Sequence, residues 1–129
     1  MSDERGQAIL AVVLALGIAA TAIVGLRAAQ ERIVVAARAQ RAGEAAVEAA
    51  AQSAADAYAT KPDAAKELVF DPHVVEAARV AAEELARENG GHDVERVELA
   101  CVRDRIEARL VLSGHEHHAG FRAPECSPP

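Results

Sequence analysis

Residues 1–30, MSDERGQAILAVVLALGIAATAIVGLRAAQ, decide how the rest of the chain is read. A charged start ends at Gly6, and no charged side chain appears from Gln7 to Leu26. A helix of about 20 residues, rising 1.5 Å per residue, spans the roughly 30 Å hydrocarbon core of a bilayer. Thr21 is the one polar side chain between Ala8 and Leu26, and a helical threonine can bond back to its own backbone. The run therefore reads as a retained single-pass membrane helix over residues 7–26, preceded by a short leader or tail over residues 1–6. Its first partner is the lipid bilayer.

Two other readings compete. A cleaved secretory signal needs a positive N-terminal region and an apolar stretch of about 7–15 residues. Here Asp3 and Glu4 outweigh Arg5 and the run is longer, although Ala20-Thr21-Ala22 satisfies the small-residue cleavage rule. A buried soluble helix would show polar residues every three or four positions, and this one does not. Within the run, Gly17, Thr21 and Gly25 recur at i+4, as do Ala11, Ala15 and Ala19. Small residues at that spacing permit close helix packing in lipid.

Composition narrows the remainder. The chain has 129 residues, 51% of them apolar, yet only 2% are aromatic and there is no Trp. Alanine supplies much of the apolar content, and each alanine buries little area at about 25 cal/mol per Å². Small-residue helix packing is favoured over a large aromatic core. The net charge is −6, with no basic block. A nucleic-acid partner would require a basic face to neutralise phosphates. Cys101 and Cys126 are the only cysteines, which fits either two thiols or one disulfide.

Helical character continues past the anchor. Residues 27–59 hold no Pro and a single Gly, Gly43, so one helix of about 80 Å is expected over residues 5–59 at 1.5 Å per residue. Gln40, Glu44, Glu48, Gln52 and Asp56 form a polar stripe at i+4, opposite Val47, Ala50, Ala54 and Ala57. Residues 60–71, around Thr60-Lys61-Pro62-Asp63, read as a linker. A second, amphipathic helix follows: Asp71 caps it, Pro72 opens it and Asn89-Gly90-Gly91 stops it. Its apolar face is Val74, Ala78, Ala81, Ala82 and Leu85, with Glu83 and Arg87 spaced to pair on the exposed side.

The period then changes to two. Val97, Leu99 and Cys101 alternate with Arg96 and Glu98; Ile106, Ala108, Leu110 and Leu112 alternate with Arg105, Glu107 and Arg109. These are two half-buried strands of a β-hairpin turning at Arg103-Asp104. The helix plus hairpin occupies residues 72–114, and residues 115–129 are expected to be an irregular tail. The fold class is α+β.

Chemistry is sparse. His115-Glu116-His117-His118 supplies imidazoles that suit zinc, copper or nickel, but the His-Glu-x-x-His spacing of metalloproteases is missing. A solvated, pH-responsive loop is the simpler expectation, and His115, His117 and His118 are only weak metal candidates. There is no phosphate-binding Gly loop and no nucleophile elbow. Cys101 on an apolar strand face reads as structural, and Glu44 and Glu48 read as a polar helix face. No enzyme activity, catalytic residue or cofactor is expected.

The segment Asp3-Glu4-Arg5-Gly6-Gln7, followed at once by the apolar run, resembles the start of TadE/TadG-like proteins. These are pseudopilin-type components of the Tad (Flp) pilus machinery. ERIVVAARAQRAGEAAVEAAA and VEAARVAAEELARENGG, followed by alternating strands, are similar to the later parts of that family, so the likeness covers about residues 3–113. The resemblance implies a pilin-like form, a bacterial cytoplasmic (inner) membrane location and an extracytoplasmic C-terminal domain. It also implies partnership with other pilin-like helices and pilus-assembly proteins in a homo- or hetero-oligomer. Prepilin-type processing would cut between Gly6 and Gln7. Pilins carry Glu at the fifth residue after that glycine, whereas this chain has Ala11, which favours an uncleaved minor component.

Topology brings two rules into conflict. Arg27, Arg32, Arg38 and Arg41 follow the apolar run, against Arg5 before it, so the positive-inside rule places the C-terminal part in the cytoplasm. The resemblance places it outside. An outside location would permit a Cys101–Cys126 bond. A membrane-anchored extracytoplasmic binding module, using the His115–His118 loop for metal or a protein ligand, is the alternative to a pilus or secretion component.

Overall fold

The computed structural model describes residues 2–90 and 93–127. Gly91 of the expected helix stop and Pro128-Pro129 of the tail lie outside the described residues, as do the side chains at positions 3–5. Two compact units are present, Met1–Ala36 and Ala37–Pro129. Helix α1, Ser2–Thr60, supplies nearly all of the first unit and opens the second.

In the first unit every residue from Gly6 to Ala36 is exposed. Ile9, Leu10, Val12, Val13, Leu14, Leu16, Ile18, Ile23, Val24 and Leu26 are all more than half exposed. Among the described residues, one helix is long and apolar enough to cross a membrane, near the N-terminus. Thr21 behaves as its chemistry requires: its Oγ1 donates to the Gly17 carbonyl at 3.1 Å and the Ile18 carbonyl at 2.9 Å.

The second unit is α+β. After α1 come a 3-10 turn (Pro62–Ala64), α2 (Ala65–Leu68), α3 (Pro72–Gly90), β1 (Val94–Val102), β2 (Arg105–Leu112), β3 (His115–Arg122) and a closing 3-10 turn (Pro124–Cys126). The strands form an antiparallel sheet in the order β1-β2-β3. Cys101 faces Ile106, Leu99 faces Ala108 and Val97 faces Leu110 across the first pair. Phe121, Ala119 and His117 continue these rows on β3, opposite Ile106, Ala108 and Leu110. One sheet face is thus apolar. The other carries Arg96, Glu98, Glu107 and Arg109, with an exposed ion pair Arg96–Glu98 at 3.5 Å and a half-buried one Arg109–Glu107 at 3.7 Å.

The apolar face forms one core with Ala46, Val47, Ala50 and Ala54 of α1 and Ala78, Ala82 and Ala86 of α3. Ile106, Leu110 and Leu112 are its largest fully buried side chains, and each contributes about 1.5–3 kcal/mol by leaving water. Alanines on both helices let helix backbone approach the sheet closely, so branched residues on the strands provide most of the buried volume. The polar stripe of α1 faces outward, with Gln40 donating to Glu44 at 2.8 Å and Gln52 to Asp56 at 2.9 Å.

Asp71 caps α3 as its position suggests, accepting from the His73 amide at 2.8 Å. Three expectations need correction. Residues 60–71 are a packed connection, not a plain linker: Ala65, Leu68 and Val69 are buried in the core. Residues 115–129 are not an irregular tail, because His115–Arg122 form a third strand and turn the expected hairpin into a three-stranded sheet. The Ser113-Gly114 turn makes this possible: both residues have left-handed φ, 51° and 74°, the geometry of a two-residue hairpin whose twist matches its strands. Finally, Glu83 pairs with Arg79, not Arg87, because Arg79 lies between Glu76 and Glu83 and its guanidinium reaches both.

Candidate functional site

On the first unit, Leu10, Val13, Leu14, Gly17, Ile18 and Thr21 bound a shallow apolar groove of about 450 Å³. Its floor is low because Gly17 has no side chain; a Cβ there would meet nothing within 4 Å, and the same holds at Gly25. Gly17 and Thr21 therefore share a continuous surface depression, and Gly25 lies two turns beyond Gly17. Gly6 is exposed on the same helix and Gln7 follows it.

On the second unit, the histidines lie on a strand, not in a loop. His117 points into the core side and is only 7% exposed. Its ring lies directly over Gly43 of α1, where an added Cβ would come within 2.1 Å of Nε2. The missing side chain at Gly43 thus leaves the space that this ring occupies. His118 points to the opposite face and lies 3.5 Å from Glu116. His115 shares the side of His117 but is exposed. Strand alternation divides the three, and among the described residues no group of three or more His, Cys, Asp or Glu is placed to hold a metal ion.

Cys101 at the end of β1 and Cys126 in the closing turn form a disulfide, with Cα atoms 5.3 Å apart and a sequence separation of 25. The bond ties the tail to β1, and the Cys101 sulfur packs 3.8 Å from the Ala65 carbonyl oxygen of α2. A loop of that size stabilises by about 3 kcal/mol in the chain-entropy description.

No family model, characterised protein or solved structure matches this chain.

A second tie holds the tail to the end of α1. Tyr58 donates its hydroxyl to Glu125, and its ring leans on Phe121 with centroids 5.6 Å apart. The hydrogen bond holds the Glu125 carboxyl below its ordinary range and pushes the Tyr58 phenol above its own. Sequence reasoning did not single out Tyr58, although it is the chain's only tyrosine.

Beside this contact runs a groove of about 320 Å³ between α1 and β3. Glu48, Ala51, Gln52 and Ala55 form its helical wall, and the strand wall is the segment from His118 to Phe121. The polar i+4 stripe of the sequence supplies Glu48 and Gln52. The strand wall was illegible beforehand because β3 itself was not expected.

Proposed function

We infer that this chain is a membrane-anchored, pseudopilin-like structural subunit of a Tad-type pilus or related secretion apparatus. It works by helix packing and assembly. One observation carries the reading: the most apolar part of the chain, from Ile9 to Leu26, is helical and wholly exposed. Such a surface requires lipid or other apolar helices to cover it. The groove at Gly17 and Thr21 suits a neighbouring helix in the bilayer, where small residues allow close backbone approach.

The C-terminal unit supports the same reading through its chemistry. It is closed by the Cys101–Cys126 disulfide. Structural disulfides persist in oxidising compartments, which favours an extracytoplasmic location in a bacterial envelope over the side indicated by the arginines. The resemblance at residues 3–7 and the Ala-rich α1 agree with this placement.

Two measurements on intact cells test the proposal. Carbonate washing should leave the protein in the membrane pellet; recovery in the supernatant would remove the anchor. Alkylation without reductant should label neither Cys101 nor Cys126. After reduction, a membrane-impermeant maleimide added from outside should reach them. Labelling only after lysis would place the C-terminal unit in the cytoplasm and end the pseudopilin reading.

A further inference from the structure

We propose that the free edge of β3, opening into the groove beside α1, accepts an extended segment of a partner protein as a fourth strand. A lysine or arginine of that segment meets Glu48. The inference stands on the second unit alone and holds whether or not the pseudopilin reading does.

β3 ends the sheet. Its hairpin with β2 closes on Leu112 and His115 across a two-residue turn, and such a closing pair exchanges hydrogen bonds with its partner strand. By alternation, His115, His117, Ala119 and Phe121 direct their backbone groups to β2. Glu116, His118, Gly120 and Arg122 direct theirs away from the sheet. The Gly120 carbonyl accepts from Arg105 Nη2 at 2.7 Å. No backbone bond from outside the sheet reaches His118 among the described residues.

An open edge is a template for strand addition. Here the space beside it has a shaped opposite wall. The groove runs along His118–Phe121, and Ala51 and Ala55 keep the helical side low. Glu48 and Gln52 stand at its polar margin. A strand added about 4.8 Å from β3 would lie in this space.

Charge selects the occupant. Along the outward stripe of α1, Glu44 and Asp56 are each engaged by a glutamine. Glu48 is exposed and has no hydrogen bond or ion pair among the described residues. The stripe contains no basic residue. A basic side chain on the incoming strand complements it, and an acidic one is repelled. Each described strand already has its place in this sheet, and the tail is held by Cys101–Cys126 and Tyr58–Glu125, so the incoming strand comes from another molecule.

The test uses the full-length, isotope-labelled chain in detergent micelles. The probes are two synthetic peptides, Thr-Val-Thr-Lys-Val-Thr-Val and its twin with Glu in place of Lys. Residue-resolved amide exchange should slow several-fold at His118 and Gly120 with the Lys peptide. Its affinity should exceed that of the Glu twin by roughly three- to tenfold, the range set by an exposed ion pair gained and a like-charge contact avoided. Glu48→Lys should reverse that order. His118→Pro removes an outward amide without breaking a sheet bond, and should abolish protection by both peptides. Equal affinities whatever residue 48 is, or no slowing at millimolar peptide, would overturn the proposal. So would protection that appears without peptide as protein concentration rises, since a second copy would then be the occupant.

Discussion

Residues 6–36 and residues 37–60 belong to the same helix, yet they treat hydrophobicity in opposite ways. The first stretch carries the long Leu, Ile and Val side chains and buries none of them. The second is half alanine, and it buries Ala42, Ala46, Val47, Ala50 and Ala54. Burial here follows the availability of a complementary surface rather than side-chain size. The sheet offers β2's branched residues to the alanines of α1, whereas the apolar N-terminal stretch is exposed along its described length.

This contrast predicts a double dissociation. Leu110→Ala, in the centre of the sheet, should destabilise the second unit by about 3–4 kcal/mol as core truncations do, read by denaturant unfolding in micelles, and should leave carbonate-resistant membrane association intact. Ala15→Asp should do the reverse. At the helix centre it costs about 3 kcal/mol of insertion, lowering the carbonate-resistant fraction while the unfolding midpoint of the second unit stays unchanged. If Ala15→Asp also lowered that midpoint, the two stretches of α1 would not be independent and the comparison would break.

A smaller effect sharpens the account of alanine packing. Gly43→Ala should gain up to about 1 kcal/mol of helix propensity and lose more to overpacking against His117, for a net destabilisation of about 1–2 kcal/mol. In a His117→Ala background the same change should become neutral or stabilising. A double-mutant cycle in thermal unfolding measures the coupling; additivity would show that the ring does not set the helix–strand distance.

The smallest effect is on acid stability. Glu76 is held below its ordinary value by Arg79, and Glu125 by Tyr58. A lowered carboxylate value adds stability that is complete above the unfolded-state value and is lost as pH falls through the folded one. The second unit should therefore lose stability as pH falls below the ordinary carboxylate range. Glu125→Gln should flatten part of that slope in pH-dependent unfolding without altering membrane association. Tyr58 works in the opposite sense: its raised value supports the contact below the ordinary phenol range, and support fades as pH rises through the folded-state value.

Local pattern was enough for much of the fold. The i+4 polar stripe placed the outer face of α1, Asp71-Pro72 placed the start of α3, and period-two alternation placed β1 and β2 with their inward residues. What escaped was β3. Its inward row is His117, Ala119 and Phe121, and its outward row includes Gly120, so neither row shows the apolar alternation by which strands are recognised. Ser113-Gly114 was the available signal, because a glycine at the second position of a two-residue turn suits a hairpin. The linker reading failed for a related reason: Lys61-Pro62-Asp63 looks like a break, while the anchoring residues Ala65, Leu68 and Val69 are too few to show a period.

The amino-acid sequence by itself determined the uncharged run long enough to span a bilayer, the small-residue spacing at Gly17, Thr21 and Gly25, and the α+β order. Each depends on composition or on a repeat within a few residues. Only the tertiary structure decided that His117 lies over Gly43, that Cys101 meets Cys126, and that Glu48 stands beside the free edge of β3. Those contacts join residues that are distant in the chain, through strand register and helix docking. Both are set by how the whole apolar surface packs, and no local stretch of sequence carries that information.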